Sequence, residues 1–210
     1  MAWTLSVKMR GEVSAEELAL CAALFSGHYG VWGALGPRPG QRVALTPARL
    51  AEACLFDDSC GVVLCREANG GALLGHALFR RFTADAAVRG KVLHGPAVWV
   101  TQLVVAEGAR SQRLASTMLL HLCTRDVVAM GLLSCHPHAV GALVRACAQP
   151  CVRAWIAEAA LALAQCAGVP YFRAADICTG SSRCVAQTGF FVDHTQVNAI
   201  LCRQQFELGQ

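Results

Sequence analysis

The chain has 210 residues, of which 55% are hydrophobic and 15% charged, and its formal net charge is +4. This apolar share excludes a disordered chain, because it is large enough to bury a sizeable core. No run of lysines and arginines with interleaved aromatic residues is present, so a nucleic-acid-binding face is not indicated. The longest uncharged stretches are interrupted by Ser, Gly, His and Pro, so we expect no membrane span. We therefore predict a soluble protein that forms a single domain over residues 1–210.

The chain contains 12 cysteines, a number that would suggest a disulfide framework in a short secreted protein. Its N-terminal segment carries early charges and lacks the apolar run of a secretory signal peptide, so we expect a cytoplasmic location. The cysteines form no CxxC pair and the histidines show no metal-ligand spacing, so we predict no metal site. We expect these cysteines to be reduced thiols that pack as small apolar side chains.

The N-terminal part of the chain predicts one strand and two helices. Apolar and polar residues alternate over residues 3–9, which is the period of a half-buried strand. Ser14 stands three residues before a glutamate, a capping-box pattern that predicts a helix ending near residue 27. A loop rich in Gly and Pro follows over residues 27–40, and Pro47 marks the first turn of a second helix.

The middle of the chain predicts a meander of three strands followed by a helix. The first two strands flank Asn69-Gly70-Gly71, a sequence type that is common in tight hairpins, and residues 83–96 are interpreted as a loop. The third strand is the strongest in the chain, and a Glu-Gly-Ala break separates it from the helix. The predicted elements are strands at 61–66, 72–82 and 97–106, and a helix from 111 to about 128.

The C-terminal part predicts a further strand, two helices and two strands. Gly168, with a proline two residues later, is a helix stop signal. The predicted elements are a strand at 131–135, helices at 137–147 and 151–167, and strands at 188–192 and 199–205. This order indicates an α/β (α+β) fold in which a mixed central sheet carries helices on both faces.

The segment from the strong strand into the next helix is the most informative for function. A strand that feeds a short loop and a helix N-terminus presents unpaired backbone N–H groups at one spot, and the helix dipole adds positive potential. Arg110 and Arg113 add side chains that can pair with phosphate oxygens. The segment is therefore a candidate anion-binding cradle, and pyrophosphate is the usual ligand of such a geometry.

The helix start reads RSQRLA over residues 110–115 and resembles the Q/R-x-x-G-x-G/A motif of the GNAT superfamily of acyl-CoA N-acyltransferases. Its first and last positions match, while Arg113 replaces the inner glycine. The order of strands and helices is similar to the family over nearly the whole chain. The segments WVTQLVV, SCHPHA, PYFRAAD and TGFFVDH look like a fungal-type GNAT branch.

The resemblance implies a GNAT fold whose fourth and fifth strands splay apart to receive acyl-CoA, with acetyl-CoA as the expected donor and a small-molecule amine as the acceptor. By resemblance, the acyl thioester would lie near Gln102 on one strand and Cys135 at the end of the other. The residues expected to contact the cofactor are Leu103, Val104 and Val105 along the pantetheine arm, and Arg110, Ser111, Gln112, Arg113, Leu114 and Ala115 around the phosphates.

Acyl transfer to an amine needs a group that removes the proton of the amine and a donor for the departing thiolate. His136 is the candidate base, because imidazole titrates near neutral pH and this one follows the fifth strand; alternatively it caps the next helix. That helix lacks the tyrosine that many family members use as the acid, and Tyr171 is interpreted as a packing residue. We therefore favour direct attack of the amine on the thioester.

Neighbouring side chains on a strand point to opposite faces, which argues against two adjacent pairs as dyads. One is Cys135 with His136, so a covalent acyl-cysteine is disfavoured, and the other is Asp193 with His194.

Two alternatives to an acyltransferase remain open: a different reaction in the same cleft, such as a cyclisation or decarboxylation, and a ligand-binding module without catalysis. The missing tyrosine and the altered glycine favour the first alternative, and Arg113 at the glycine position is also the best support for the second.

Overall fold

The computed structural model describes residues 2–88, 90–149, 153–173, 175–180, 183–195 and 197–198. Its centre is a five-stranded sheet with the strand order β1-β2-β3-β4-β5. The first four strands run antiparallel to their neighbours, and β5 lies parallel to β4 at one edge. The strands are β1 (Trp3–Met9), β2 (Cys60–Glu67), β3 (Leu73–Val88), β4 (Lys91–Val105) and β5 (Ala129–Leu132).

Helices cover both faces of this sheet, which confirms the predicted fold class. Consecutive residues of β2 show why, since Val62 packs with the first helix pair and Val63 with the second. A strand buried on both faces is apolar throughout. The third cluster of buried residues joins the distal halves of β3 and β4 to α5. The helices are α1 (Ala15–His28) and α2 (Pro47–Cys54) on one face, α3 (Leu114–Leu122) and α4 (Pro137–Cys147) on the other, then α5 (Arg153–Ala167) and α6 (Pro170–Arg173). No helix among the described residues has both the length and the apolar character needed to cross a membrane.

The helix starts predicted from capping residues are confirmed. Ser14 Oγ accepts a hydrogen bond from the Glu17 N–H at 3.1 Å, and the Glu17 carboxylate accepts one from the Ser14 N–H at 3.0 Å. Thr46 Oγ1 accepts from a backbone N–H at the start of α2, directly before Pro47. Helix α5 ends at Ala167, and Gly168 follows with a φ of 56°, the left-handed conformation that a helix stop requires.

The predicted loop over residues 83–96 is wrong, because these residues extend β3 and β4 into one long hairpin. Ala84, Ala86 and Val88 alternate with more exposed residues and pack towards α5. Alanines in this pattern carry a weak strand signal, since alanine has little β propensity. The turn at Asn69-Gly70-Gly71 is confirmed, and Gly70 has a φ of 70°.

Two neighbouring boundaries also differ from the prediction. Helix α3 begins at Leu114, because Ser111 and Arg113 have left-handed backbones, and it ends at Leu122. The following strand occupies Ala129–Leu132 instead of 131–135. Gly131 lies flat against the Trp99 ring, where a Cβ atom would come within 2.5 Å of the indole. Helix α4 has the predicted bounds.

The C-terminal part holds a hairpin that the sequence analysis missed, formed by β6 (Asp176–Gly180) and β7 (Arg183–Gln187). The predicted strand at 188–192 is wrong. It forms a single bridge, between Val192 and Trp32, and its backbone packs beside the loop after α1. The predicted strand at 199–205 lies outside the described residues.

Candidate active site

Strands β4 and β5 part in the middle of the sheet. They pair for four residues, ending at Val100 opposite Leu132, while β4 continues to Val105. The register between β3 and β4 shifts here and leaves Thr101 as a bulge. Beyond Val100, the edge of β4 that faces away from β3 has no strand partner in the described part of the chain. We call this opening, between residues 101–105 and residues 133–136, the β4–β5 notch.

Backbone N–H groups without acceptors gather at the turn after β4. Among the described residues, the N–H groups of residues 111–116 meet no acceptor, and the first bond of α3 runs from Thr117 N–H to the Arg113 carbonyl. Ser111 and Arg113 both have a φ of 63°. Left-handed residues next to other conformers form backbone concavities that bind anions. The turn therefore presents several free N–H donors at one spot, and their predicted role in binding a diphosphate stays a prediction.

The two arginines of this turn have different surroundings. Arg110 donates from Nη2 to the His28 carbonyl at 2.7 Å, and its Nε lies 3.4 Å from the Val105 carbonyl. It thus ties the end of α1 to the end of β4. The Arg113 side chain is exposed and makes no hydrogen bond or ion pair within the described residues. Both side chains are exposed, and Arg110 keeps an Nη1 group without an acceptor among the described residues, so the predicted phosphate contacts of both arginines stay predictions.

The side chains of β4 beside the notch are mostly committed to packing. Val104 is buried with α1 and α2, whereas Leu103 and Val105 pack towards α3. This side-chain packing leaves the backbone of these residues as the group that could contact a ligand. Their predicted role along a pantetheine arm stays a prediction.

A buried histidine holds the predicted substrate residue Gln102. His76 Nε2 lies 2.8 Å from Gln102 Oε1, and His76 is fully buried. Burial lowers the pKa of His76 to about 4, so its ring is neutral at neutral pH, and Nε2 is the donor because a carbonyl oxygen only accepts. The His76 Nδ1 atom has no partner among the described residues. No local pattern in the sequence links His76 to the site, because Gln102 is 26 residues away.

His136 lies at the first turn of α4 and caps it, as the alternative interpretation predicts. Its Nδ1 accepts a hydrogen bond from the His138 N–H at 3.3 Å, which is long. Burial and the nearby charges of His138, Arg110 and His194 lower the pKa of His136. The ring is therefore neutral at neutral pH, which is the form that a base needs.

Cys135 has an imidazole partner that sequence proximity does not reveal. Its Sγ lies 3.1 Å from Nδ1 of His194, which is 59 residues away in the sequence. The exclusion of Asp193 as a partner of His194 is consistent with the structure, because Asp193 Oδ1 accepts hydrogen bonds from the N–H and hydroxyl of Thr195. Desolvation raises the pKa of the Cys135 thiol.

Aromatic side chains border the notch on the side of α1. Phe190 contacts Tyr29 and Trp32 edge to face, with ring centroids 5.9 and 4.8 Å apart. Tyr29 is 40% exposed and Phe190 is 37% exposed. Desolvation raises the pKa of Tyr29. The segment that carries Phe190 reaches the notch through His194, whose Nδ1 lies 3.1 Å from the Cys135 thiol. Tyr171 packs deeper, where its hydroxyl accepts from Trp99 Nε1 at 2.8 Å.

Two further features lie outside the notch. A cavity of about 430 Å³ lies between α1 and α2 and is lined by Val13, Leu18, Leu55 and Phe56, with Arg10 and Glu52 at its rim. The described residues contain no group of three or more His, Cys, Asp or Glu side chains placed to hold a metal ion.

No protein-family model and no curated protein matches the chain. Several solved structures share part of its fold. The ribosomal-protein-alanine N-acetyltransferase of Brucella melitensis biovar Abortus 2308 is 19% identical, with a TM-score of 0.41 over 63% of this chain and 80% of that chain. The structure of AAC(6')-Iy with the bisubstrate analogue CoA-S-monomethyl-acetylneamine is 15% identical, with a TM-score of 0.45 over 70% and 91%. The glucosamine-6-phosphate N-acetyltransferase of Arabidopsis thaliana is 14% identical, with a TM-score of 0.39 over 62% and 82%.

These matched structures are GNAT acetyltransferases, as the predicted resemblance implies, whereas the fungal-type branch is not confirmed. Their identities and TM-scores are low, so neither their activities nor their substrates are transferred to this chain. The mixed sheet with helices on both faces rests on the strand order and the packing described above.

Proposed function

We propose that the chain is a cytoplasmic CoA-dependent N-acyltransferase that moves an acyl group, in the first instance acetyl, from CoA to a small-molecule amine. The observation that carries this proposal is the β4–β5 notch, which ends at a turn with acceptor-free N–H groups at residues 111–116. An open strand edge and an anion cradle at its end fit a donor that has a peptide-like arm and a diphosphate.

On the donor side, the residues of the turn supply charge and hydrogen bonds. The N–H groups of residues 111–116 and the exposed guanidinium of Arg113 would bind the phosphates. The unpaired backbone edge at Leu103, Val104 and Val105 would hydrogen-bond the amide-containing arm. Acyl-CoA supplies a thioester, whose carbonyl carbon is open to attack by an amine.

On the acceptor side, Tyr29, Trp32 and Phe190 present ring faces and edges next to the notch. Aromatic rings attract the ammonium form of an amine and pack against its apolar part. An amine held there would attack the thioester directly. This arrangement supports a small, partly apolar amine as the acceptor.

His136 is the proposed base. Its lowered pKa keeps the imidazole neutral, and its Nδ1 lone pair is engaged only by the 3.3 Å bond to the His138 N–H. Accepting the proton of the amine at Nδ1 would exchange this bond for the new one. Backbone N–H groups of β4 would polarise the carbonyl as charge develops on its oxygen.

Two measurements test the proposal in sequence. Acetyl-CoA at a hundred times its dissociation constant should stabilise the fold by about 2.7 kcal/mol, which is measured as a thermal shift. Release of free CoA thiol is then followed with a panel of small amines. No thermal shift at millimolar acetyl-CoA would refute the proposal. A shift without thiol release for any amine would support a binding module instead.

The role of His136 is tested with His136→Asn, because asparagine keeps the N-cap acceptor but cannot take a proton near neutral pH. We expect amine-dependent turnover to fall about 100-fold or more, which is the usual contribution of a positioned base, with little change in thermal stability. The matched control is His121→Asn, at an exposed histidine of α3 that bonds its own helix. Equal turnover in both variants would remove His136 from this role.

A further inference from the structure

The thiol of Cys135 and the imidazole of His194 form a pair at the mouth of the notch. Sγ lies 3.1 Å from Nδ1 and 3.9 Å from Nε2, so Nδ1 is the atom in hydrogen-bonding position. Both residues are exposed. Cys135 follows the end of β5 by three residues, which places it beside the point where the two strands part.

Both members of the pair are held by backbone contacts of their own segments. On the cysteine side, Ser134 Oγ accepts a hydrogen bond from the His136 N–H at 3.0 Å. On the histidine side, the Asp193 N–H donates to the Val31 carbonyl at 2.9 Å, which fixes the segment before His194 against the loop after α1. The Asp193 carboxylate accepts hydrogen bonds from Thr195, whereas the imidazole of His194 lies against the thiol.

Among the cysteines whose side chains the structure describes, Cys135 is the one with an imidazole within hydrogen-bonding distance. Cys21, Cys54, Cys60 and Cys65 are buried. Cys178, on β6, is also exposed but has no imidazole partner among the described residues. A thiol whose proton can pass to a neighbouring imidazole during attack is an activated nucleophile.

We propose that Cys135, with His194 as its base, is an acyl-acceptor site that captures the acyl group of a thioester when no amine occupies the notch. The thiol proton passes to His194 Nδ1 as Sγ attacks the carbonyl carbon. The new C–S bond to Cys135 forms as the C–S bond to the donor thiol breaks, and His194 returns the proton to the departing thiolate. One thioester replaces another, so the exchange needs no oxidant, reductant or other reactant.

This inference rests on the proposed function for the identity of the natural thioester. The captured acyl group remains a thioester and can still be transferred to an amine that binds later.

The test incubates the full chain with acetyl-CoA, and separately with the short thioester S-acetyl-N-acetylcysteamine, in the absence of amine. Peptide mapping by mass spectrometry follows acetylation of Cys135 and of the exposed control Cys178, and hydroxylamine treatment identifies the adduct as a thioester. We expect Cys135 to be acetylated at least about tenfold faster than Cys178. We expect His194→Gln to slow acetylation of Cys135 about 100-fold, as for loss of a positioned base, while Cys178→Ala leaves it unchanged.

The two donors separate the failure of this inference from the failure of the proposed function. Labelling of Cys135 by the short thioester that depends on His194, without labelling or binding of acetyl-CoA, would support the thiol site and refute the CoA-dependent function. Binding of acetyl-CoA with acetylation of amines, but with Cys135 labelled no faster than Cys178 by either donor, would overturn this inference alone. An equal rate in His194→Gln would overturn it too.

Discussion

Replacement of Arg113 by glycine separates the two properties that this residue combines. Its backbone has a φ of 63°, which costs a residue with a side chain about 1–2 kcal/mol and glycine almost nothing. Glycine also has more conformational freedom in the unfolded chain, and the loss of this freedom on folding offsets about 0.5–1 kcal/mol of the stabilisation. Because the Arg113 side chain makes no described contact, we expect Arg113→Gly to stabilise the fold by up to about 1 kcal/mol, or to raise Tm by about 2–4 °C.

The same substitution removes the guanidinium from the anion cradle. A hydrogen bond to a charged group contributes about 1.5–3 kcal/mol, so the affinity for acetyl-CoA should fall about 10- to 150-fold. Isothermal titration at two salt concentrations measures this loss, and the salt dependence of binding should weaken with it. The matched control is Arg113→Ala, which loses the charge but keeps the left-handed strain.

We expect Arg113→Ala to lose affinity without the gain in Tm. Tighter binding in Arg113→Gly than in the unsubstituted chain would show that the arginine crowds the phosphate site, and unchanged binding would show that it points elsewhere. Either result would refute the role given to this side chain.

Two further predictions concern the packing around the notch. In the unfolded chain His76 takes up a proton near the ordinary histidine pKa of 6.5, and in the folded chain only near 4, so stability should fall as pH drops between these values. His76 should account for about 3 kcal/mol of the loss in the free energy of unfolding between pH 7 and pH 4, measured by urea unfolding. This part of the loss should be absent from His76→Gln, a variant that keeps a donor for Gln102. Gly131→Ala should destabilise by about 1–3 kcal/mol and change the fluorescence of Trp99, since its Cβ would meet the indole at 2.5 Å. Gly108→Ala, where a Cβ meets nothing within 4 Å, is the control, and equal Tm values in the two variants would contradict this packing.

Local signals in the sequence predicted much of the fold. The capping box at Ser14, the proline at Pro47 and the glycine at Gly168 each act through a backbone group a few residues away, so their effects are visible in the sequence. The alternation of apolar and polar residues in β1 is also a local signal, and it predicted that strand. The mixed α/β class followed from the order of these elements.

Elements stabilised by distant partners were harder to predict. The distal halves of β3 and β4 are strands because Ala84 and Ala86 pack towards α5, although alanine has little preference for strands. Conversely, the segment before Val192 has the aromatic and branched residues of a strand, but it packs beside the loop after α1 through a single bridge. In both cases tertiary contacts override local propensity.

In the candidate site too, features formed by one continuous segment were visible in the sequence, and pairs of distant residues were not. The acceptor-free N–H groups of residues 111–116 lie in one continuous segment, so a local pattern in the sequence could indicate them, while their role in binding an anion stays a prediction. The pairs Cys135 with His194 and His76 with Gln102 were not visible in the sequence, since their members are 59 and 26 residues apart. The argument from strand alternation does not apply to Cys135, which lies beyond the end of β5, and it carried no information on which distant imidazole would reach the thiol.

The central claim is that acyl-CoA binds in the β4–β5 notch with its phosphates at the turn after β4. Amide hydrogen exchange, with and without saturating acetyl-CoA, tests this claim residue by residue. We expect slowed exchange at residues 111–116, whose N–H groups meet no acceptor among the described residues of the free chain, and at residues 103–105. Slowed exchange elsewhere with these two segments unchanged, or no change at any residue, would contradict it.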